Sequence, residues 1–92
     1  MRDMKKADKL LKRIENNPKD VRFEEIEQVL LSKGFEERQA RGGSSHYVFY
    51  HENLEKNVVI PKPHKSKNIK SIYIKKALKA IWNLKIKEEE LR

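Results

Sequence analysis

The segment at residues 35–61, FEERQARGGSSHYVFYHENLEKNVVIP, decides the fold of this chain. Its aromatic and Val-rich runs, separated by polar connections of six and five residues, are typical of short β-strands. Connections this short join antiparallel neighbours, because a parallel pair needs a longer crossover. The segment therefore predicts a three-stranded antiparallel meander, with strands at 35–39, 46–51 and 57–61.

Helical periodicity flanks the meander on both sides. Apolar residues recur with helical spacing over 4–16, 23–33 and 69–87, while Pro18 and Gly34 end the first two helices. The predicted order is α-α-β-β-β-α, an α+β fold with helices on one face of the sheet and the other face free. We expect the first helix to stand apart behind Pro18, and the last residues, KEEELR, to fray.

The charge of the chain is distributed unevenly. The 92 residues carry a net charge of +8, and residues 38–87 hold twelve basic and two acidic side chains. A one-sided positive field attracts polyanions, of which phosphate backbones are the commonest, although a lysine-rich solvated surface has the same composition. There is no cysteine and no apolar run of about 20 residues, so we expect a cytoplasmic protein without a membrane span.

The hinge RGGSSH, Arg41 to His46, is the candidate site for chemistry. Its glycines let the backbone turn sharply and approach a phosphate, and Ser44 and Ser45 offer hydroxyl and N–H groups to the same anion. On RNA, His46 can take the proton of a 2′-OH, whose oxygen then attacks the adjacent phosphorus. This chemistry needs no metal and no cofactor. The alternative is that His46 only opens a strand and hydrogen-bonds the hinge.

Two interpretations are open for the aromatic run that follows the hinge. Tyr47 and Phe49 either face the core or stack on bases; if they face the core, His46, Val48 and Tyr50 share the open face. His46 and His51 then lie on opposite faces and cannot chelate one ion, so we expect no metal site. We also expect His51 to be a solvated strand end.

The basic loop after the third strand supplies further candidates. Lys62, Lys65 and Lys67 are expected to contact phosphates, although a solvated loop has the same composition. His64 is either a loop residue or a second proton donor. On the last helix, Trp82 is expected to pack against the first helix rather than to bind bases.

These motifs together resemble the HicA, or YcfA-like, family of bacterial and archaeal toxins. The similar features are a helix ending in Gly-Phe, a strand leading into a Gly-Ser-x-His hinge, a hairpin, a strand ending in Pro, a His-containing basic loop and a final helix. The resemblance covers about residues 21–82. It implies an α-β-β-β-α fold like the double-stranded-RNA-binding domain, at residues 21–87, with an N-terminal helical extension at 1–20 and a charged tail at 88–92.

The resemblance also implies a function. Members are ribonucleases that cut mRNA and stop translation until a HicB-type antitoxin binds them, and the family's catalytic histidine falls on His46. The resemblance implies RNA contacts at Gly43, Ser44 and the loop from Lys62 to Lys67; with the hinge chemistry, the candidate RNA contacts are Arg41, Gly43, Ser44, Ser45, Lys62, His64, Lys65 and Lys67. An acidic antitoxin, mRNA and, only indirectly, DNA are the expected partners. The alternative function is a noncatalytic RNA-binding module that uses the same basic face.

Overall fold

The α-α-β-β-β-α order is confirmed by the computed structural model, which describes residues 2–43, 45–64 and 67–91. Ser44 and Lys65, two of the expected RNA contacts, lie outside these ranges. The helices are α1 (Arg2–Asn16), α2 (Phe23–Ser32) and α3 (Ser71–Glu90), and the strands are β1 (Glu36–Gln39), β2 (His46–Tyr50) and β3 (Val58–Pro61). The predicted α+β class with an antiparallel sheet is therefore correct.

The sheet has the order β1-β2-β3, with both strand pairs antiparallel, so β2 is central. Phe49 pairs with Val58 and Tyr47 with Ile60 across β2 and β3. Phe49, Val58 and Ile60 are buried, which identifies this set as the helix-facing side. Because side chains alternate along a strand, His46, Val48 and Tyr50 occupy the opposite, open face. The sheet thus takes the first of the two orientations that the sequence left open.

The core lies between the sheet and the helices. Ile26 and Leu30 of α2 and Ile74 of α3 are fully buried together with Phe49. The turn after α2 needs a glycine, because Gly34 has a φ of +92° and a Cβ there would lie 3.2 Å from Nε2 of His51. This turn leads α2 directly into β1 and fixes the helical layer against the sheet.

The first helix is part of this core, so the expectation that it stands apart is wrong. Ala7 is 1% exposed and Ile14 0% exposed, and α1 packs on α2. Ion pairs join the same two elements: Arg13 with Glu25, and Lys33 with Asp8 at 3.2 Å between Nζ and Oδ1. Pro18 ends α1 as predicted, but the short linker folds the helix back on its neighbour, which its own apolar stripe requires.

The last helix is longer than its periodicity predicts. It begins at Ser71 and continues to Glu90, so the residues expected to fray are helical as far as Glu90. The last turn of this helix is acidic, which the helix dipole does not favour, so the charges of this end do not account for its helical structure.

The Ile14→Ala variant tests whether α1 belongs to the core. Because Ile14 is fully buried, we expect the variant to lower the free energy of unfolding by about 2–5 kcal/mol. Urea denaturation followed by circular dichroism measures this change. The exposed Lys9→Ala on the same helix is the control and should change stability by less than about 0.5 kcal/mol. Equal small effects of the two substitutions would mean that α1 is dispensable.

Candidate active site

The exposed imidazole of His46 lies at the start of the central strand. Its backbone is held from both sides: the Ala40 N–H donates to the His46 carbonyl at 2.9 Å, and the Lys62 N–H donates to the Ser45 carbonyl at 2.7 Å. Pro61 is the β3 residue opposite His46. The ring therefore rests on a fixed backbone, and it is accessible to a large substrate from the open face.

The hinge before His46 forms a tight turn. Arg41–Gly43 form a short 3₁₀-type turn that is kinked at Gly42, whose φ of +73° is not helical. No heavy atom lies within 4 Å of the place where a Cβ on Gly42 would be, so its backbone conformation, not lack of space, favours glycine there. Arg41 and Ser45 are exposed on either side of this turn. Arg41 and Ser45 are therefore accessible and lie within five residues of His46 along the chain.

Lys62, by contrast, does not share the face of His46. Its ammonium lies 5.3 Å from the ring centroid of Phe23 and 6.0 Å from that of Tyr47, both on the helix-facing side. Its Nζ is also 4.0 Å from a carboxylate oxygen of Glu24. The backbone of Lys62 thus supports His46, while its charge is held on the other side of the sheet.

The sequence analysis did not predict a pair of neighbouring carboxylates, Glu27 and Glu37, near Lys62. Burial raises the pKa of Glu27 to about 7, and the hydrogen bond to Glu37 and the charge of Glu37 add to this rise, while the charge of Lys62 opposes it. Glu27 lies on α2 and Glu37 on β1, ten residues apart. The alternation of β1 was the available signal, because Glu37 pairs with the buried Phe49 and must face the helices.

The other loop candidates are spread over a wider area. His64 and Lys67 are exposed. Lys67 lines a cleft of about 510 Å³ together with Arg13, Asp20, Arg22, Glu25 and Asn68. The loop is anchored there by the Ile69 N–H, which donates to the Val21 carbonyl at 2.8 Å. The loop therefore runs from the end of β3 towards the start of α2. There Lys67 lies with Arg13 of α1 and with Arg22, the residue that precedes α2.

His51 contacts other residues of the fold and is not the solvated strand end that the sequence predicts. It is half-buried rather than solvated: its Nδ1 accepts a hydrogen bond from the Asn53 N–H at 3.0 Å, and its ring meets Phe35 edge-on at 5.5 Å. Its contact with the buried Phe35 places it on the side opposite to His46. Among the described residues, no group of three or more His, Asp and Glu side chains is arranged to hold a metal ion.

The structure also shows a basic groove that the sequence analysis did not single out. The β2–β3 loop, β3 and α3 enclose about 740 Å³, and four lysines line this space: Lys56, Lys76, Lys79 and Lys87. Its only acidic lining residue among those described is Glu55. The helical spacing of Lys76, Lys79 and Lys87 was the available signal, since it places them along one side of α3.

Comparison with known families identifies this architecture. Residues 23–81 match the model of the family described as the HicA toxin of bacterial toxin–antitoxin systems. The chain belongs to the HicA toxin family. Comparisons with curated proteins and with solved structures gave no match. No helix in the described part of this HicA toxin is long and apolar enough to cross a membrane.

The match to the HicA family runs from the first residue of α2 into α3, and it contains the sheet, the hinge and His46. Helix α1 precedes the matched region, although its Ile14 is buried in the common core. As a toxin of a toxin–antitoxin pair, this HicA chain has an antitoxin as its partner.

The raised pKa of Glu27 predicts a pH-dependent stability. A carboxyl group whose pKa rises from 4.5 to about 7 on folding stabilises the fold fully below pH 4.5, and this contribution is lost as pH rises through about 7. The Glu27→Gln variant should therefore be more stable than the wild type at pH 8 and gain less at pH 5. Thermal unfolding at both pH values measures the difference. Glu36→Gln, at an exposed position, is the control. An equal stability difference between Glu27→Gln and the wild type at both pH values would contradict the raised pKa of Glu27.

Proposed function

We propose that this HicA toxin is a metal-independent endoribonuclease that cleaves mRNA and thereby inhibits translation, with His46 as the general base. The observation that carries the proposal is the position of His46. An exposed imidazole stands on the rigid central strand, directly after a glycine turn that can approach a phosphate. His51 is half-buried against Phe35, and the exposed His64 lies in a loop rather than on the sheet.

The reaction follows from this position. His46 removes the proton of a ribose 2′-OH, and the oxygen attacks the adjacent phosphorus. The bond from phosphorus to the 5′ oxygen breaks, which leaves a 2′,3′-cyclic phosphate and a 5′-OH that takes up a proton. The exposed His64 is the better candidate for donating that proton, because the ring of Tyr47 contacts Phe23 at 5.0 Å on the helix-facing side.

Arginines are better placed than Lys62 to neutralise the reacting phosphate. Arg41 is exposed in the hinge, and Arg38 pairs with Val48 on the open face, where its guanidinium lies 5.1 Å from the ring centroid of Tyr50. A guanidinium can hold two phosphate oxygens at once. We therefore assign the phosphate contacts nearest to His46 to Arg41 and Arg38, and the more distant ones to Lys67 and the loop.

We further propose that the antitoxin is an acidic, HicB-type protein that covers the open face. The toxin carries a net charge of +8, so an acidic partner would be steered towards it and associate rapidly. An inhibitor that contacts the exposed His46 and Arg41 would exclude RNA by occupying the same surface. DNA would then be contacted only indirectly, through the antitoxin.

The second candidate function is a noncatalytic RNA-binding module. The lysine-lined groove between β3 and α3 favours it, because this groove collects positive charge away from His46. The two functions differ in what His46 contributes: it is essential to cleavage and nearly irrelevant to binding through the groove.

Cleavage of single-stranded RNA in excess EDTA tests the enzymatic function. His46→Gln should lower the rate by at least about 100-fold, since a positioned proton acceptor contributes about that much or more. His51→Gln, a matched change on the other face, should retain activity once folding has been verified by circular dichroism. A substrate with 2′-deoxyribose at the cleaved position should stay intact. Equal cleavage by the wild type and His46→Gln would exclude this mechanism.

Removal of two groove lysines tests the role of the α3 surface. The Lys76→Ala/Lys79→Ala double variant should bind RNA more weakly. The dependence of its affinity on salt concentration should fall by the amount expected for the loss of about two phosphate contacts. Fluorescence anisotropy over a series of salt concentrations measures both quantities. The cleavage rate at saturating RNA should stay unchanged if His46 performs the chemistry. Unchanged affinity would remove the groove from the RNA-binding surface.

A further inference from the structure

A second groove lies on the helical side of the molecule, between α1 and α3. It encloses about 540 Å³, and five of its lining residues are apolar: Leu11, Leu78, Ile81, Trp82 and Leu84. Trp82 lines the groove beside α1 as expected, but 59% of its surface is exposed. Ile86, one turn further along α3, is 40% exposed and extends the apolar stripe. A large exposed indole at the centre of such a stripe is typical of a protein interface.

The charges around this groove cancel. The acidic lining residues are Asp8, Glu15 and Glu88, and the basic ones are Lys12, Lys33 and Lys85. The whole chain carries +8, so this neutral surface differs from the rest of the molecule. RNA and an acidic antitoxin are both attracted by positive charge, which the groove does not offer. A second copy of the same basic chain is repelled by the positive surfaces, and it meets the least repulsion here.

We propose that two copies of this toxin associate through the α1–α3 groove in a two-fold symmetric dimer. The proposal goes beyond the ribonuclease function and does not depend on it. The groove belongs to the helical layer, whereas His46 occupies the open face of the sheet. Dimerisation through the helices therefore leaves the candidate active site of each copy accessible.

The charge pattern of the two helices is self-complementary, as a two-fold interface requires. Asp8 and Lys33 already pair with each other within one chain. On α1, Lys12 precedes Glu15 by three residues, and on α3, Lys85 precedes Glu88 by three residues.

When α1 of one copy runs antiparallel to α3 of the other, these charges match. Lys12 then faces Glu88 of the partner subunit, and Glu15 faces Lys85 of the partner subunit. The two-fold axis generates both contacts twice. Trp82 of each copy, with Lys85 at 5.8 Å from its ring, enters the apolar floor between these ion pairs.

Sedimentation of the purified, antitoxin-free chain tests the dimer. At rising concentration, the mass should increase from 11.0 kDa to twice that value. Trp82 is the only tryptophan, so its fluorescence maximum should move to shorter wavelength over the same concentration range.

Substitutions in the groove locate the interface. Trp82→Glu should raise the dissociation constant of the dimer at least about tenfold, as loss of a central aromatic anchor does. Ile72→Glu, a matched change at another exposed apolar position of α3, should leave the dissociation constant unchanged. Lys12→Glu should weaken the dimer, and Lys12→Glu combined with Glu88→Lys should restore it, which separates a contact between copies from a folding defect.

Two outcomes would overturn the proposal. One is a mass of 11.0 kDa at every concentration up to the millimolar range. The other is a fluorescence shift that occurs only when the antitoxin is added, which would assign the groove to the antitoxin.

Discussion

The burial of Phe49 in the central strand is the constraint on which the candidate site depends. Phe49 is fully buried between the sheet and the helices, and its ring lies 6.3 Å from that of Phe23. Because β2 alternates, a buried Phe49 forces Tyr47 inward and His46 outward. A shift of one residue in register would bury the imidazole and expose the core aromatic residues. The packing of one phenyl ring therefore determines the exposure of the proposed base.

The same alternation divides the basic residues between two surfaces. Lys62 follows β3 beside His46 along the sheet, yet its side chain points to the helices, where it contacts Phe23 and lies near Glu24. The charge count along the chain overstates how many lysines surround His46. Arg38 on β1 and Arg41 in the hinge are exposed, and the lysines of α3 form a separate groove.

Helix α1 lies outside the residues that match the HicA family, yet it belongs to the core of this chain. The matched region begins at Phe23, yet the helical layer of this toxin includes Ala7 and Ile14 from the preceding helix. By packing on α2, this helix removes an apolar surface from solvent and creates, together with α3, the neutral groove that holds Trp82. The added helix therefore stabilises the fold and also shapes a surface away from the sheet.

The sequence by itself determined the order of the elements and the antiparallel sheet, through periodicity, Pro and Gly at the boundaries and short connections. It also predicted His46 as a candidate base, a choice that the resemblance to the HicA family favoured over a purely structural role. Only the tertiary structure decided which face of β2 is open, that Lys62 points away from His46, and that Glu27 meets Glu37. It also decided that α1 enters the core while Trp82 remains exposed. The physical reason is that burial, pairing and pKa shifts depend on contacts between residues distant in sequence, which local patterns do not specify.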